Sequence, residues 1–247
     1  DFLVYFLFIV FNIKNLYSRN GFINILGNNN YITHTNFENI NINGLAGNIV
    51  GGIINFDLGG NINNIKVSSG EINGNGLVGE VFTSSNLKIN NIYNYANVNN
   101  TSSQQGKKSF VGGIIGNINS QGYSNNSIIL NNIENYGNIT VSNDNVLDVG
   151  GVLGRLQADD LNTSVYLSSI KNFGNISNSY TKKSVYPNIG GIIGTTQGGN
   201  ISIDKLSNEG SVSGYKVAGG IIGLGNNTMY SDSSIGEISI NNTYNNG

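Results

Sequence analysis

Hydrophobic positions along this chain fall in short runs of isoleucine and valine, separated by stretches rich in asparagine and glycine. No window of eleven residues keeps apolar positions at i, i+3, i+4 and i+7, so the pattern predicts no helix. Runs such as 111–115, 128–134 and 138–141 carry the β-branched composition of half-buried pleated segments. The polar stretches 117–126 and 142–148 between them read as turns and loops. The chain is therefore expected to be all-β.

Two phrases recur in alternation. The first is Gly112-Gly113-Ile114-Ile115-Gly116, with copies opening at Gly51-Gly52, Gly150-Gly151, Gly190-Gly191 and Gly219-Gly220, and a degenerate copy at Gly79-Glu80-Val81-Phe82. The second is Ile133-Glu134-Asn135-Tyr136-Gly137-Asn138-Ile139, and its central asparagine returns at 94, 172, 208 and 245. One copy of each makes a unit of about 36 residues, and a period of roughly 20–50 residues marks a solenoid, propeller or array. Three short strands per unit predict a parallel β-solenoid. Each unit would be one turn, stacked on the last at about the 4.8 Å spacing of paired strands.

No single turn can bury its own apolar face, so like residues must stack into columns. One predicted column runs through Ile53, Val81, Ile114, Val152, Ile192 and Ile221, and its neighbour through Ile54, Phe82, Ile115, Leu153, Ile193 and Ile222. Adjacent strand residues point to opposite faces, so the column through Ile115 is expected inside and that through Ile114 outside. Asn94, Asn135, Asn172, Asn208 and Asn245 are expected to bond to one another along the axis, in preference to reading a ligand. Ala96, Gly137, Gly174, Gly210 and Gly247 then supply a corner with little or no side chain. The pattern loosens over 21–70, where Gly44-Leu45-Ala46-Gly47 and the run from Val67 to Ile72 look like worn copies. Residues 1–20 are read as an apolar end segment, a fragment end or anchor remnant. Residues 21–247 are read as one solenoid domain cut short at its C-terminus.

Composition narrows the chemistry. A net charge of −2 with only 11% charged residues gives no basic face for nucleic acid. With no cysteine and one histidine there is neither a disulfide scaffold nor a His/Cys metal site, and no cofactor or metal is expected. His34 has no nucleophile placed beside it in the pattern, so no catalytic residue is assigned. Asp144, Asp148, Asp159 and Asp160 flank the fourth glycine phrase on both sides of a strand and are read as solvated loop positions rather than a calcium site. The glycine phrases lack the lysine and helix of a phosphate loop. Lys107, Lys108, Lys182, Lys183 and Lys216 precede glycine phrases, with Tyr186 nearby. They form a candidate ligand-contact edge for anionic glycans, against the plainer reading of solvated lysines.

The alternation of Val-Gly-Gly-Ile-Ile-Gly with Ile-x-Asn-Tyr-Gly-Asn-Ile, at 111–116 and 133–139 and in their copies, resembles the GLUG-motif repeats of large bacterial surface proteins. The second phrase is tighter here, with Asn, Tyr and Gly adjacent. The resemblance covers roughly 44–247 and implies a β-solenoid stalk of an adhesin, an autotransporter passenger or the non-catalytic part of an immunoglobulin-A protease. It implies an extracellular or cell-surface location, a host-surface protein or glycan as partner, and further chain at one or both ends. The alternatives are a polysaccharide-active β-helix enzyme and an inert spacer.

Overall fold

Within residues 127–135, inward Ile128 and Leu130 are followed by inward Ile133 and Asn135, so the alternation slips by one between the two pairs. The slip falls at Asn132, which has a φ of 53°. This left-handed residue turns the strand through a corner while both halves keep their apolar side chains inside. Asn64, Asn91, Ser169 and Lys205 have the same conformation in the corresponding strands, and Asn242 has it between Ile238–Asn241 and Tyr244–Asn245, with φ between 49° and 58° throughout. The stretch is thus one long bent strand repeated rung after rung.

The computed structural model describes residues 11–14, 17–18, 23–26, 31–38, 40–43, 54–57, 60–83, 86–101, 108–120, 126–158, 162–179, 187–214, 217–226 and 236–247. Side chains are described within these ranges from residue 62 onward, except at 82, 83, 217 and 226. Every regular element among them is a strand, and every strand pairing is parallel to the equivalent strand of a neighbouring rung. The protein is a parallel β-solenoid with a repeat of roughly 37 residues.

One full rung contains Ser109–Gly112, Ile115–Ser120, Ser127–Asn135 and Ile139–Val141. Each strand belongs to a separate sheet running along the axis. The long bent strands, from Phe11–Lys14 to Ile238–Asn241, form the most extensive sheet. The sheet holding Ser109–Gly112 is the shortest and begins there among the described residues. Isoleucine, leucine and valine from all four sheets meet in one continuous core that includes Ile92, Val111, Ile118, Leu130, Ile139, Leu156 and Ile203.

Three expectations need correction. The run 111–115 is two strands, not one, because the chain bends at Gly113-Ile114 between Ser109–Gly112 and Ile115–Ser120. A full rung therefore has four strands rather than three. Residues 117–120, read as loop, complete the second of them, with Ile118 in the core. The bend also cancels strand alternation, so Ile114, Val152 and Ile192 are as buried as Ile115, Leu153 and Ile193. The column through Ile114 is not outside. Finally, Ile115 pairs with Val78 and Ile118 with Val81. The copy before Gly112 is therefore Asn75-Gly76-Leu77-Val78-Gly79, four residues ahead of the degenerate phrase at 79–82. Val78 pairs in turn with Ile54. The worn copy from Val67 to Ile72 does take the place of the second phrase, pairing Val67 with Asn94 and Ile72 with Val98. Gly44 to Gly47 lie outside the described residues.

Candidate functional site

The two recurring phrases touch each other. A Cβ on Gly113 would lie 2.5 Å from Cγ of Asn135, one on Gly151 would lie 2.4 Å from Cγ of Asn172, and Gly191 stands in the same way 2.5 Å from Cγ of Asn208. The second glycine of the pair is thus the seat on which the buried asparagine rests. Asn135 Nδ2 donates to Asn172 Oδ1 at 2.9 Å and to Gly137 O at 2.8 Å. Asn94, Asn172 and Asn208 repeat both bonds, and the side-chain chain continues to Oδ1 of Asn245. Both N–H groups of each amide are therefore used inside the protein, where an unpaired amide would be costly. Gly137 and Gly174 sit beside the ladder because a Cβ there would meet the carbonyl oxygen of the rung before, at about 2 Å. The ladder is saturated and structural.

A second polar row lies inside the bend between the sheets of Ser109–Gly112 and Ile115–Ser120. Asp148, 2% exposed, accepts hydrogen bonds from Asn188 Nδ2 and Thr195 Oγ1 and faces Arg155 Nε at 3.5 Å. Arg155 also donates to Gln197 Oε1 and lies over the Phe110 ring at 4.8 Å. Burial raises the Asp148 carboxyl above its ordinary value, while Thr195, Asn188 and Arg155 pull it back. Asp148 is accordingly not the solvated loop residue expected; pairing with Arg155 and the two neutral donors is what makes its burial tolerable. Asp144 is half-buried in the preceding turn, and Asp159 and Asp160 lie outside the described residues. Glu80 occupies the same row lower down, accepting from Asn117 Nδ2 at 2.8 Å, and burial raises its carboxyl as well.

On the outer surface, Tyr95, Tyr136 and Phe173 stack with ring centroids 4.4 and 4.6 Å apart. The Tyr136 hydroxyl donates to Glu134, which raises the phenol above its ordinary value, and Lys171 Nζ lies 3.3 Å from the same carboxylate. These carboxylates are committed to internal partners. Asp204 is likewise engaged, with Asn242 and Lys205.

The long-strand sheet carries a recess of about 500 Å³ on its outer face. Two parallel rows build it. Asn63, Asn90, Asn131 and Ser168 pair in register across four successive strands, and Lys88, Ile129 and Tyr166 form the row two residues earlier. Asn90 is nearly buried at 8% exposure, whereas Tyr166 stands 50% exposed at the rim. Asn91, at the corner, donates to Oδ1 of both Asn63 and Asn64 and closes one side. Among the described residues, the side chains of Lys88, Asn90, Asn131, Tyr166 and Ser168 have no hydrogen bond, ion pair or ring partner.

Of the candidate ligand-contact edge, Lys108 is exposed just ahead of Ser109–Gly112. Lys107, Lys182, Lys183, Tyr186 and Lys216 lie outside the described residues. The recess had a signal in the sequence that the two phrases overshadowed. It is the polar doublet Asn63-Asn64, Asn90-Asn91, Asn131-Asn132, Ser168-Ser169, recurring between isoleucines on the same period as the asparagine ladder. No protein-family model matches the chain, and neither a curated protein nor a solved structure matches it.

Proposed function

We propose that this chain is a structural and adhesive module, part of an extracellular bacterial surface protein, that displays loops and an outer sheet face for contact with a host-surface protein or glycan and breaks no bond. One observation carries the reading: a rigid interior repeats in register while the connections at fixed points of each rung vary. The ladder, the glycine seats and the core columns recur rung after rung. The connections 101–108, 142–145, 179–187 and 214–216 join the same two sheets yet differ in length and sequence. Constant core and variable loops are how a scaffold presents different surfaces on one frame. The resemblance to GLUG-motif repeats supports the surface location, and further chain at one or both ends belongs to the same proposal. The commitment of Asp148, Glu134 and Asp204 to internal partners supports the non-catalytic reading.

Particles coated with the whole chain are expected to adhere to cultured cells more than uncoated particles do. Acidic polysaccharides incubated with it are expected to show no new reducing ends. Release of reducing ends would place the chain among the polysaccharide-active enzymes, and coated particles that adhere no better than bare ones would leave it an inert spacer.

A further inference from the structure

We propose that the recess on the outer face of the long-strand sheet is a binding site for an acidic saccharide chain. The amides of Asn90 and Asn131 take its hydroxyls, the Tyr166 ring takes a pyranose face, and Lys88 takes a carboxylate. The inference deepens the adhesive reading by naming a ligand class, and it rests on that reading for its biological sense.

The lining selects this chemistry by elimination and by fit. A primary amide offers two donors and an acceptor in one plane, which suits adjacent hydroxyl groups. Here the amides face the recess without being spent on the protein, in contrast to the saturated ladder on the inner side of the same strands. An apolar partner would cover Asn90 and Asn131 and leave them unpaired, a desolvation cost that no gain at the floor offsets. Among the described residues no carboxylate lines the recess, so a cationic ligand finds no counter-charge there, while the one lysine favours an anion. A single lysine on a chain of net charge −2 is too little for a nucleic-acid backbone. Tyr166 and Ile129 supply the apolar strip that the C–H face of a sugar ring requires. The polar row continues along the axis over four strands in register, about 4.8 Å apart. A linear polymer with regularly repeated hydroxyls can therefore lie along it and meet an amide at Asn63, Asn90 and Asn131 and a hydroxyl at Ser168.

The test is calorimetric titration of the whole chain with oligosaccharides cut from polygalacturonate and from hyaluronate, beside neutral cello-oligosaccharides of equal length. The acidic oligosaccharides are expected to bind. Tyr166→Ala should weaken them by about tenfold, the scale of one lost ring contact, and Asn131→Ala by several-fold. Lys88→Gln should erase the preference for acidic over neutral chains. Tyr166 and Lys88 are exposed, so circular dichroism of these variants should match the parent and a lost signal will report binding. Absence of heat with every oligosaccharide at millimolar concentration overturns the proposal, as does binding untouched by Tyr166→Ala and Asn131→Ala. Binding that instead disappears when Lys107, Lys108, Lys182 and Lys183 are changed to glutamine moves the site to the loops, keeping the adhesive reading and sinking the recess. Oligosaccharide binding at the recess by a chain whose coated particles do not adhere keeps the recess and sinks the adhesive reading.

Discussion

The earlier and the later rungs solve the same corner in two ways. In the earlier rungs the described residues give three strands per rung, and the position that stacks beneath Asn94 is Val67, which pairs in turn with Phe37. From Asn94 onward the position is asparagine, and from Ser109 onward a fourth strand joins each rung. The asparagine appears in the last three-strand rung, directly against the first four-strand one, and there is a physical reason. The fourth strand is made by a tight bend at paired glycines, and that bend brings backbone polar groups into the core beside the column. Asn94 Nδ2 donates to Gly113 O at 3.1 Å, the first such carbonyl to appear among the described residues. In the later rungs the column amides donate to the corner carbonyls of Gly137, Gly174 and Gly210, and an amide that also bonds to its copy above serves both needs.

If the glycine pair and the asparagine are one device, altering either half in a late rung should be worse than an ordinary core change. Gly151→Ala carries the largest expected effect. Its Cβ would lie 2.0 Å from Gly191 O and 2.4 Å from Cγ of Asn172, and neither backbone nor stacked amide can withdraw without separating rungs. We expect a loss of about 4 kcal/mol, at the level reserved for severe strain. In a stacked array the damage should be local to neighbouring rungs. Hydrogen exchange is therefore the measurement: amides of 188–190 and 193–197 should lose protection while those of 87–94 keep it. Equal loss in both regions would show that the rungs do not behave as the comparison requires.

Asn172→Val transplants the early solution into a late rung. It removes the bonds to Gly174 O and Asn208 Oδ1 and leaves one of the two N–H groups of Asn135 Nδ2 without its acceptor, all in fully buried surroundings. Unpaired buried amides cost about 1–3 kcal/mol each, so a loss of about 3 kcal/mol is expected despite the apolar replacement. The urea midpoint measures it. A neutral outcome would mean that Val67 and Asn172 occupy equivalent environments and that the ladder is ornamental.

How much of this was legible beforehand follows from where each signal lives. The ladder could be read because Asn135, Asn172 and Asn208 recur at a nearly fixed spacing and an amide that both donates and accepts can bond to its own copy. Strand identity was legible from Ile128, Leu130 and Ile133. The bend was not, because Gly113 and Ile114 look like strand interior until the carbonyl contacts of the neighbouring rung are known. For the same reason the burial of Ile114 beside Ile115 was missed, since alternation assumes a straight strand. The copy at Asn75-Gly76-Leu77-Val78-Gly79 was hidden by a stronger local likeness four residues later. Only cross-strand pairing of Val78 with Ile115 decides between them. The recess went unread because Asn90 and Asn131 look the same in sequence as the inward asparagines, while their outward direction depends on the left-handed corner at Asn91 and Asn132.

The smallest expected effect concerns the two buried carboxylates, which repeat the contrast between regions. Asp148, in a four-strand rung, has Thr195, Asn188 and Arg155 around it. Glu80, in the last three-strand rung, has the Asn117 amide alone; its Oε2 and the Asn117 Oδ1 lack a hydrogen-bond partner, as does Asp148 Oδ2, but only the last has a cation 3.5 Å away in Arg155. Burial is the leading cause of its raised carboxyl, with the Asn117 bond opposing. A carboxyl held above its unfolded value of 4.5 contributes stability that is fully present below that value and is lost as pH rises through the folded one. Above its unfolded value the buried Glu80 carboxyl is therefore a burden on stability. The substitution Glu80→Gln keeps the acceptor for Asn117 Nδ2 and adds a donor for the orphan Asn117 Oδ1. We expect a gain of about 1 kcal/mol at pH 7, shrinking as pH falls toward 4.5. Asp148→Asn should run the other way, because it strips Arg155 of its counter-charge. Urea midpoints at pH 5 and pH 8 for both variants decide it, and two shifts of the same sign would mean that the fourth strand does nothing to make a buried charge tolerable.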